Sequence, residues 1–479
     1  MTRRTKIVAT LGPSTDSPEV LEAALRAGVD VARVNFSHGT AEEHLTRVAQ
    51  FRAAAQRVGK IVAVMADLPG PKMRVKMPAL RFLNHGDMVY FSLGATPTEP
   101  GDLVLTEPEM LADVRPGQRM LLDDGRLQLE AVQIHPGRLA ARVLVGGTLH
   151  PNKGLNLPDT PLTMPALTAR DHEAIRIAAQ AGVDWVAVSF VRGPEAADEV
   201  RDACQAVGLT APVLAKIERP EAVGRAAAIV AAFNAIMVAR GDLGVELPLE
   251  RVPTVQKQLI AEARAAGKPV IIATDMLDSM RTNPRPTRAE ASDVANAIYD
   301  GTDAVMLSGE TAIGSYPVEA VACMHRIAVE TEMHMRFQRR SPTTLYDPSG
   351  NEIDDAITLS ACSLADEINA AAIITPTLSG RTARFASRCR PWARIIAVSP
   401  SETVLQRLAL VWGITAVRMS ALEPGHDRMN TAVRDAFGAG TIQAGERVVV
   451  LAGHPIAGGR RSPTVRVVRV GDDGTPGEP

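Results

Sequence analysis

The sequence predicts a mixed α/β chain: a (β/α)₈ TIM barrel carrying a small inserted β domain and followed by a second α/β domain. Three observations predict it. Between residues 6 and 335, eight short apolar runs alternate with helical segments, as in a parallel sheet covered on both faces. From 71 to 160 this rhythm gives way to alternating apolar and polar positions broken by Gly and Pro. A polar, turn-rich stretch at 336–352 then precedes a shorter strand and helix alternation.

Taken in order, KIVATLG (6–12) opens the series and an amphipathic segment at 17–27 follows. VDVARVNFS (29–37), a helix at 41–58 and IVAVMAD (61–67) complete the first three strand units. In the insert, Asp124-Gly125 between MLLD and RLQLEAV predicts a hairpin turn. A helix over 168–181 restarts the barrel rhythm, with strands WVAVSF (185–190), VLAKIE (213–218), AIMVARGD (235–242), PVIIAT (269–274) and AVMLSG (304–309), closed by a helix at 317–335. Eight units match the closure number of a barrel, although strand count alone also fits an open doubly wound sheet. The expected domains are the barrel over 1–70 and 161–340, the insert over 71–160, an α/β domain over 353–470 and a disordered tail over 471–479.

Composition narrows the function. The 479 residues are 46% hydrophobic and 22% charged, ordinary for a globular protein. A net charge of −2 and 3% aromatics argue against nucleic acid as the partner. No uninterrupted apolar stretch approaches the ~18 residues of a membrane helix, and MTRRTKIVATLGP lacks the apolar run of a secretory signal. Cys204, Cys323, Cys362 and Cys389 are scattered without metal-ligand spacing. These features lead to the expectation of a cytoplasmic location with reduced thiols. Lysines number eight against 44 arginines, so a retained lysine draws notice: Lys72, Lys153 and Lys216 above all. There is no GxxxxGK[ST] loop, GxGxxG turn, HExxH or CxxC.

The charged residues collect at strand ends. Arg33, Asn35 and Ser37 fall two apart, as do Lys216 and Glu218, so each set shares one face of its strand. Asp67, Gly241-Asp242, Thr274 and Ser308-Gly309-Glu310 end the third, sixth, seventh and eighth strands. Such a rim suits a phosphorylated anion and a divalent cation. Glu218 and Asp242 are hard oxygen ligands for Mg²⁺, while Arg33 and Lys216 suit phosphoryl oxygens. Ion pairs and caps on an ordinary barrel are the competing explanation for any one of these residues.

Together the segments TKIVATLGPS (5–14), VARVNFSHGT (31–40), GPKMR (70–74), NKGLNLP (152–158), AKIERPEAV (215–223), VARGDLGVE (238–246), ATDMLDSM (273–280) and NPRPTRAEASDVANAIYDGTDAVMLSGETA (283–312) resemble the pyruvate kinase family over essentially the whole chain. The resemblance implies a barrel domain, an inserted β-barrel lid and a C-terminal regulatory domain, in an enzyme that is usually a homotetramer. It implies Mg²⁺-dependent phosphoryl transfer from phosphoenolpyruvate to ADP, giving pyruvate and ATP in glycolysis. Carried over by motif, Lys216, Thr274 and Arg33 are catalytic, and Gly241 and Asp242 join them in binding substrate. Glu218 and Asp242 hold Mg²⁺, and Asn35, His38, Arg74 and Lys153 serve the nucleotide. The competing readings are another Mg²⁺-dependent barrel enzyme of enolpyruvate or 2-oxo acid chemistry, and a non-catalytic relative.

This chain departs from the family pattern in three places. Family members that need K⁺ hold it at positions matching Asn35, Ser37, Asp67 and the Leu68 carbonyl. Those members have Thr where this chain has Leu68, and Glu where it has Lys72. An ammonium at Lys72 supplies the same unit charge, so activity is expected without K⁺. Asp275 and Asp278 stand where Gln and Glu are usual; Asp275 either crowds the substrate beside Thr274 or faces away. Lastly, TLSGRTAR (377–384) follows a strand and opens a helix. Thr377, Ser379, Gly380, Arg381 and Thr382 match the family's loop for a phosphorylated effector, with a plain helix cap by Ser379 as the alternative.

Overall fold

The computed structural model describes residues 3–337, 352–421, 427–455 and 461–479. Most of the linker predicted at 336–352 and the middle of the Gly-rich stretch at 453–464 lie outside them.

Eight parallel strands close into a barrel: β1 (Lys6–Thr10), β2 (Val31–Asn35), β3 (Ala63–Asp67), β4 (Trp185–Val188), β5 (Val213–Ile217), β6 (Ala235–Ala239), β7 (Val270–Ala273) and β8 (Ala304–Leu307). Each pairs with its neighbours in sequence, and β1 meets β8. Closure removes the open-sheet alternative and leaves no sheet edge.

Period-two alternation divides every strand. One set of positions fills the barrel interior: Val8, Val31, Ala63 and Met65, Trp185 and Ala187, Leu214, Ala235 and Met237, Ile271 and Ala273, Ala304 and Met306. The other set packs outward beneath the helices, as with Ile7, Val64, Val186 and Val238. Continued toward the C-terminal rim, the inward parity reaches Arg33, Asn35, Asp67, Ser189, Lys216 and Glu218. Thus the barrel is apolar in its depth and charged at its mouth.

Several helices start where the local chemistry dictates. Thr40, Thr168 and Thr287 each cap a helix and exchange hydrogen bonds with Glu43, Asp171 and Glu290, three residues on.

The insert has its own core, including Val75, Phe91, Leu122 and Leu139. Its main sheet runs in the order 155–156, 119–122, 127–135, 138–145, 88–92, flanked by two-stranded ladders at 81–83 with 147–149 and at 75–76 with 104–105. Asp123, Asp124 and Gly125 all adopt positive φ at the predicted hairpin.

C-terminal to the barrel, β9 (Ala372–Pro376), β10 (Arg394–Ser399), β11 (Ile414–Arg418), β12 (Arg447–Pro455), β13 (Arg461–Val470) and β14 (Pro476–Gly477) make one sheet in the order β11-β10-β9-β12-β13-β14. Here the expected disordered tail is corrected. The Gly471 N–H donates to the Thr475 carbonyl at 2.8 Å, which returns the chain so that β14 pairs with Arg469 and Val470. Gly474, at φ 80°, supplies the left-handed residue that this turn requires.

This domain seals the bottom of the barrel. Ala409 and Leu410 join the barrel's interior cluster. Lys6 Nζ donates to the Ile414 carbonyl at 2.7 Å, and Trp185 Nε1 donates to that of Arg407 at 3.2 Å.

Candidate active site

At the opposite end, the mouth of the barrel is organised around one carboxylate. Asp67 is 1% exposed at the end of β3. Its Oδ2 accepts from Arg33 Nε at 2.6 Å, and its Oδ1 lies 3.2 Å from Lys216 Nζ. Lys216 also donates to Ser189 Oγ at 2.7 Å and lies 2.9 Å from Glu218 Oε1. Arg33 NH1 reaches Thr10 Oγ1 at 3.0 Å. Adjacent strands carry these groups, with Asn35 in register with Asp67 and Ala187 likewise.

Electrostatics follow from the pairing. Burial by itself would lower the pKa of Lys216, but the Asp67 and Glu218 carboxylates outweigh it and hold the ammonium charged. Burial would raise that of Asp67, yet Lys216 and Arg33 keep it below the usual carboxylate range. For Glu218, burial wins and the pKa rises, with Asp242 adding like-charge repulsion. Its Oε2 accepts the Phe190 N–H at 2.7 Å, and Phe190 takes φ 55° there, an uncommon conformation for an aromatic residue. Its Oε1 is buried without an aligned hydrogen bond.

Glu218 and Asp242 suit a divalent cation: two carboxylates at neighbouring strand ends whose charges repel. Among the described residues no group of three or more His, Cys, Asp or Glu could hold a metal. A divalent cation held by one or two carboxylates completes its shell with substrate oxygens and water.

Thr274, at φ 70°, turns its Oγ1 to accept the Gly241 N–H at 2.6 Å and donate to the Ala273 carbonyl at 2.6 Å. Arg240 braces this corner, donating to the Thr274 carbonyl at 2.8 Å and pairing with Asp293 at 2.7 Å. Asp275 is exposed. Partial desolvation of its carboxyl group by the surrounding rim, then Asp278, raise its pKa, while Arg240 and Arg281 oppose the rise.

On the insert side, His38 lies in the field of Arg74, Lys72, Arg170 and Arg33, which add to burial in lowering its pKa. Arg74 NH1 donates to the Asn152 carbonyl at 2.9 Å, and Lys153 pairs with Asp123 at 2.6 Å.

The residues expected to hold K⁺ make contacts within the protein. Asp67 already answers two cations, and the Leu68 carbonyl accepts the Ser189 hydroxyl at 2.7 Å. The Ser37 N–H donates to Asn35 Oδ1 at 3.1 Å. Lys72 does not form an ion pair with Asp67. Its ammonium sits 3.2 Å from Asp242 Oδ1 instead. Among the described residues no other cation is in ion-pair contact with Asp242.

At the loop 377–382, Ser379 does not cap the helix. Gly380, at φ 78°, is the N-cap of helix Arg381–Arg388, and its N–H donates to Thr377 Oγ1 at 2.9 Å. Arg381 lies 3.5 Å from Asp354, and Thr382 is half-buried.

Sequence reasoning missed three features. Ser189 holds Lys216 and shares the parity of Ala187, so strand alternation could have found it. Arg170 approaches His38 only through folding. Glu246, 3% exposed, accepts from Asn156 Nδ2 at 2.9 Å and lies 3.6 Å from Arg219. It ties the end of the insert to the helix that carries Asp242.

The fold and this rim define a (β/α)₈-barrel enzyme with its polar site at the C-terminal ends of the strands. Residues 2–321 match the family model for the pyruvate kinase barrel domain, and residues 355–468 match that for the pyruvate kinase alpha/beta domain. A pyruvate kinase of Geobacillus stearothermophilus is 44% identical over 462 residues, covering 95% of this chain and 78% of that protein. One of Staphylococcus aureus is 41% identical over 477 residues, covering 98% and 81%. The chain belongs to the pyruvate kinase family, and membership implies phosphoenolpyruvate and ADP as substrates and the use of a divalent metal. No helix among the described residues is long and apolar enough to cross a membrane.

Proposed function

We propose that this enzyme transfers the phosphoryl group of phosphoenolpyruvate to ADP in a Mg²⁺-dependent step of glycolysis, in the cytoplasm and as a homotetramer. The observation that carries the mechanism is the buried Lys216 ammonium, held by Asp67, Glu218 and Ser189 at the barrel mouth. Lys216 and Arg33 meet the phosphoryl oxygens, and Lys216 also stabilises the enolate left when the phosphorus–oxygen bond breaks. Little covalent chemistry is asked of the protein, because a loose phosphoryl transition state needs alignment and neutralised charge. Glu218 and Asp242 hold Mg²⁺, which when bound neutralises charge on the phosphoryl oxygens.

Gly241, the Asp242 backbone and Thr274 receive the substrate carboxylate. The Thr274 hydroxyl releases the Gly241 N–H to do so, and it lies beside the path that protonates the enolate. Asn35, His38, Arg74 and Lys153 bind the nucleotide, and the insert closes over it to exclude water. The lowered pKa of His38 supports a neutral imidazole there at pH 7.

K⁺ is dispensable because Lys72 brings a fixed unit charge to the site. Its 3.2 Å contact with Asp242 supports that reading by a route other than direct occupation of the Asp67 position. Thr377, Ser379, Gly380, Arg381 and Thr382 take a phosphorylated effector at the open end of their helix.

The test is a lactate dehydrogenase-coupled assay with phosphoenolpyruvate and ADP. Wild type turns over, and Lys216→Met falls by about 10³-fold or more while keeping its circular dichroism spectrum and oligomeric state. Unchanged turnover in a folded Lys216→Met variant removes the assigned role.

A further inference from the structure

Two of the four cysteines, Cys362 and Cys389, come together in the C-terminal domain, in one apolar cluster. Cys362 lies on the helix Glu352–Glu367, and Cys389 is the C-cap of the helix Arg381–Arg388. The first helix runs in register along the end of the second. Asp355, Cys362 and Asp366 follow at steps of seven and four residues, so they share one helical face. Asp355 pairs with Arg388 at 2.9 Å. Asp366 Oδ1 accepts the Trp392 N–H at 2.8 Å and the Ala393 N–H at 3.2 Å. Between these two links, Cys362 Sγ donates to the Ala386 carbonyl at 3.9 Å, and the same oxygen accepts the Cys389 N–H at 3.2 Å. Ala361, Ala365, Ala383 and Ala386 are buried around the contact, and side chains this small let the two helices approach closely.

The two thiols are free and hydrogen-bond to each other, and their surroundings differ. Cys362 is buried, whereas Cys389 is half-buried. The hydrogen bond from Cys362, aided by the Arg388 guanidinium, holds the Cys389 thiol below its ordinary pKa against burial and Asp355. Giving that bond, and burial, keep Cys362 protonated. One sulfur is therefore the better nucleophile and the other stands behind it. Cys204 and Cys323 are buried elsewhere, and burial pushes the Cys204 thiol up to about 11 and that of Cys323 above its ordinary value.

We propose that Cys362 and Cys389 form a modification site, a dithiol that hydrogen peroxide converts into an intramolecular disulfide. The Cys389 thiolate attacks one peroxide oxygen, the O–O bond breaks, and Cys389 becomes a sulfenic acid while hydroxide leaves and takes a proton to become water. The Cys362 thiol then gives up its proton, its sulfur attacks that of Cys389, and the S–O bond breaks. Hydroxide departs with that proton as a second water. In sum, two thiols are oxidised to one disulfide and one peroxide is reduced to two waters. Thiols already within hydrogen-bonding reach need little backbone movement to close such a bond. The disulfide ties the helix Arg381–Arg388 to the helix Glu352–Glu367 and closes a loop over residues 362–389, which narrows the freedom of the unfolded chain.

Peptide mass spectrometry of the full-length protein tests the site without requiring activity. The reduced protein is treated with a small excess of hydrogen peroxide, then denatured and alkylated with iodoacetamide. A peptide linking Cys362 to Cys389 is expected, reversed by dithiothreitol and formed about 10-fold or more faster than Cys204 or Cys323 is oxidised. In Cys362→Ser, Cys389 stops at the sulfenic acid and is captured by dimedone; in Cys389→Ser, Cys362 stays reduced. Should Cys362→Ser not fold, dimedone present while wild type is oxidised captures Cys389 and lowers the yield of the linked peptide. Four thiols that all remain open to alkylation after peroxide overturn the proposal. So does a link formed only between two chains, oxidation of Cys204 or Cys323 at the same rate, or a Cys389→Ser variant in which Cys362 is oxidised as fast as in wild type.

Discussion

Replacing Asp67 with Asn tests the claim that one buried carboxylate organises the catalytic cations. The change keeps the shape and removes the charge. At 3.2 Å from Lys216 and 2.6 Å from Arg33, the gross attractions are about 5 and about 6 kcal/mol for an effective dielectric constant near 20. Desolvation of the carboxylate offsets much of this. Breaking a buried pair by removing one partner typically costs about 3–5 kcal/mol, because the remaining charge is stranded. Here two cations would be left with Glu218 as their buried counter-charge. For a domain of this size, about 3 kcal/mol lowers the melting temperature by roughly 6 °C or more. Catalysis suffers separately. Lys216 loses one of its three anchors and Arg33 its main one, and a misplacement of ~1 Å costs about 100-fold in rate. The coupled assay at saturating ADP is expected to give a kcat about 100-fold lower, with the KM for ADP little changed, because the nucleotide-side residues keep their own contacts. A variant with kcat within about threefold of wild type and an unchanged melting temperature would refute the reasoning.

Two further outcomes follow from the same pairing logic. Lys72→Glu reverses the fixed charge beside Asp242, so activity should become dependent on K⁺, rising about 10-fold or more when K⁺ replaces a bulky organic cation; wild type should change by less, and equal responses would contradict the role given to Lys72. Asp30 concerns stability alone: burial raises its pKa, but Arg3, Lys60 and Lys6 outweigh it and hold the carboxyl well below the usual range. Its folded pKa lies below the unfolded one, so its stabilisation is complete above the unfolded value of 3.8 and is lost as pH falls below it. Accordingly, Asp30→Asn lowers the melting temperature at pH 7, and the gap to wild type begins to narrow as pH falls below 3.8 but stays open at pH 3, because the folded-state pKa lies well below that; a gap already closed at pH 3 would exclude the linkage.

Strand periodicity already placed Arg33, Asn35, Lys216 and Glu218 on the barrel side of their strands, since side-chain direction alternates with each residue whatever the rest of the chain does. For the same reason the eight apolar runs and the Asp124-Gly125 turn were readable one segment at a time. Ser189 was equally readable by parity and was overlooked because the run Trp185–Phe190 carries no charge. Partnership is a different matter. Asp67 meets Lys216 across 149 positions, a pairing set by barrel closure and the register of neighbouring strands. Lys72 meets Asp242 across 170 positions because of where the insert rests on the rim. Its ammonium meets a carboxylate from a distant strand end, a partnership that no local pattern encodes. The tail shows the same division: GDDGTPGEP has the composition of a loose end, yet it adds a strand because the edge of β13 offers it backbone partners. Local covalent geometry thus determined which residues face the reaction, and long-range packing decided which charges answer one another.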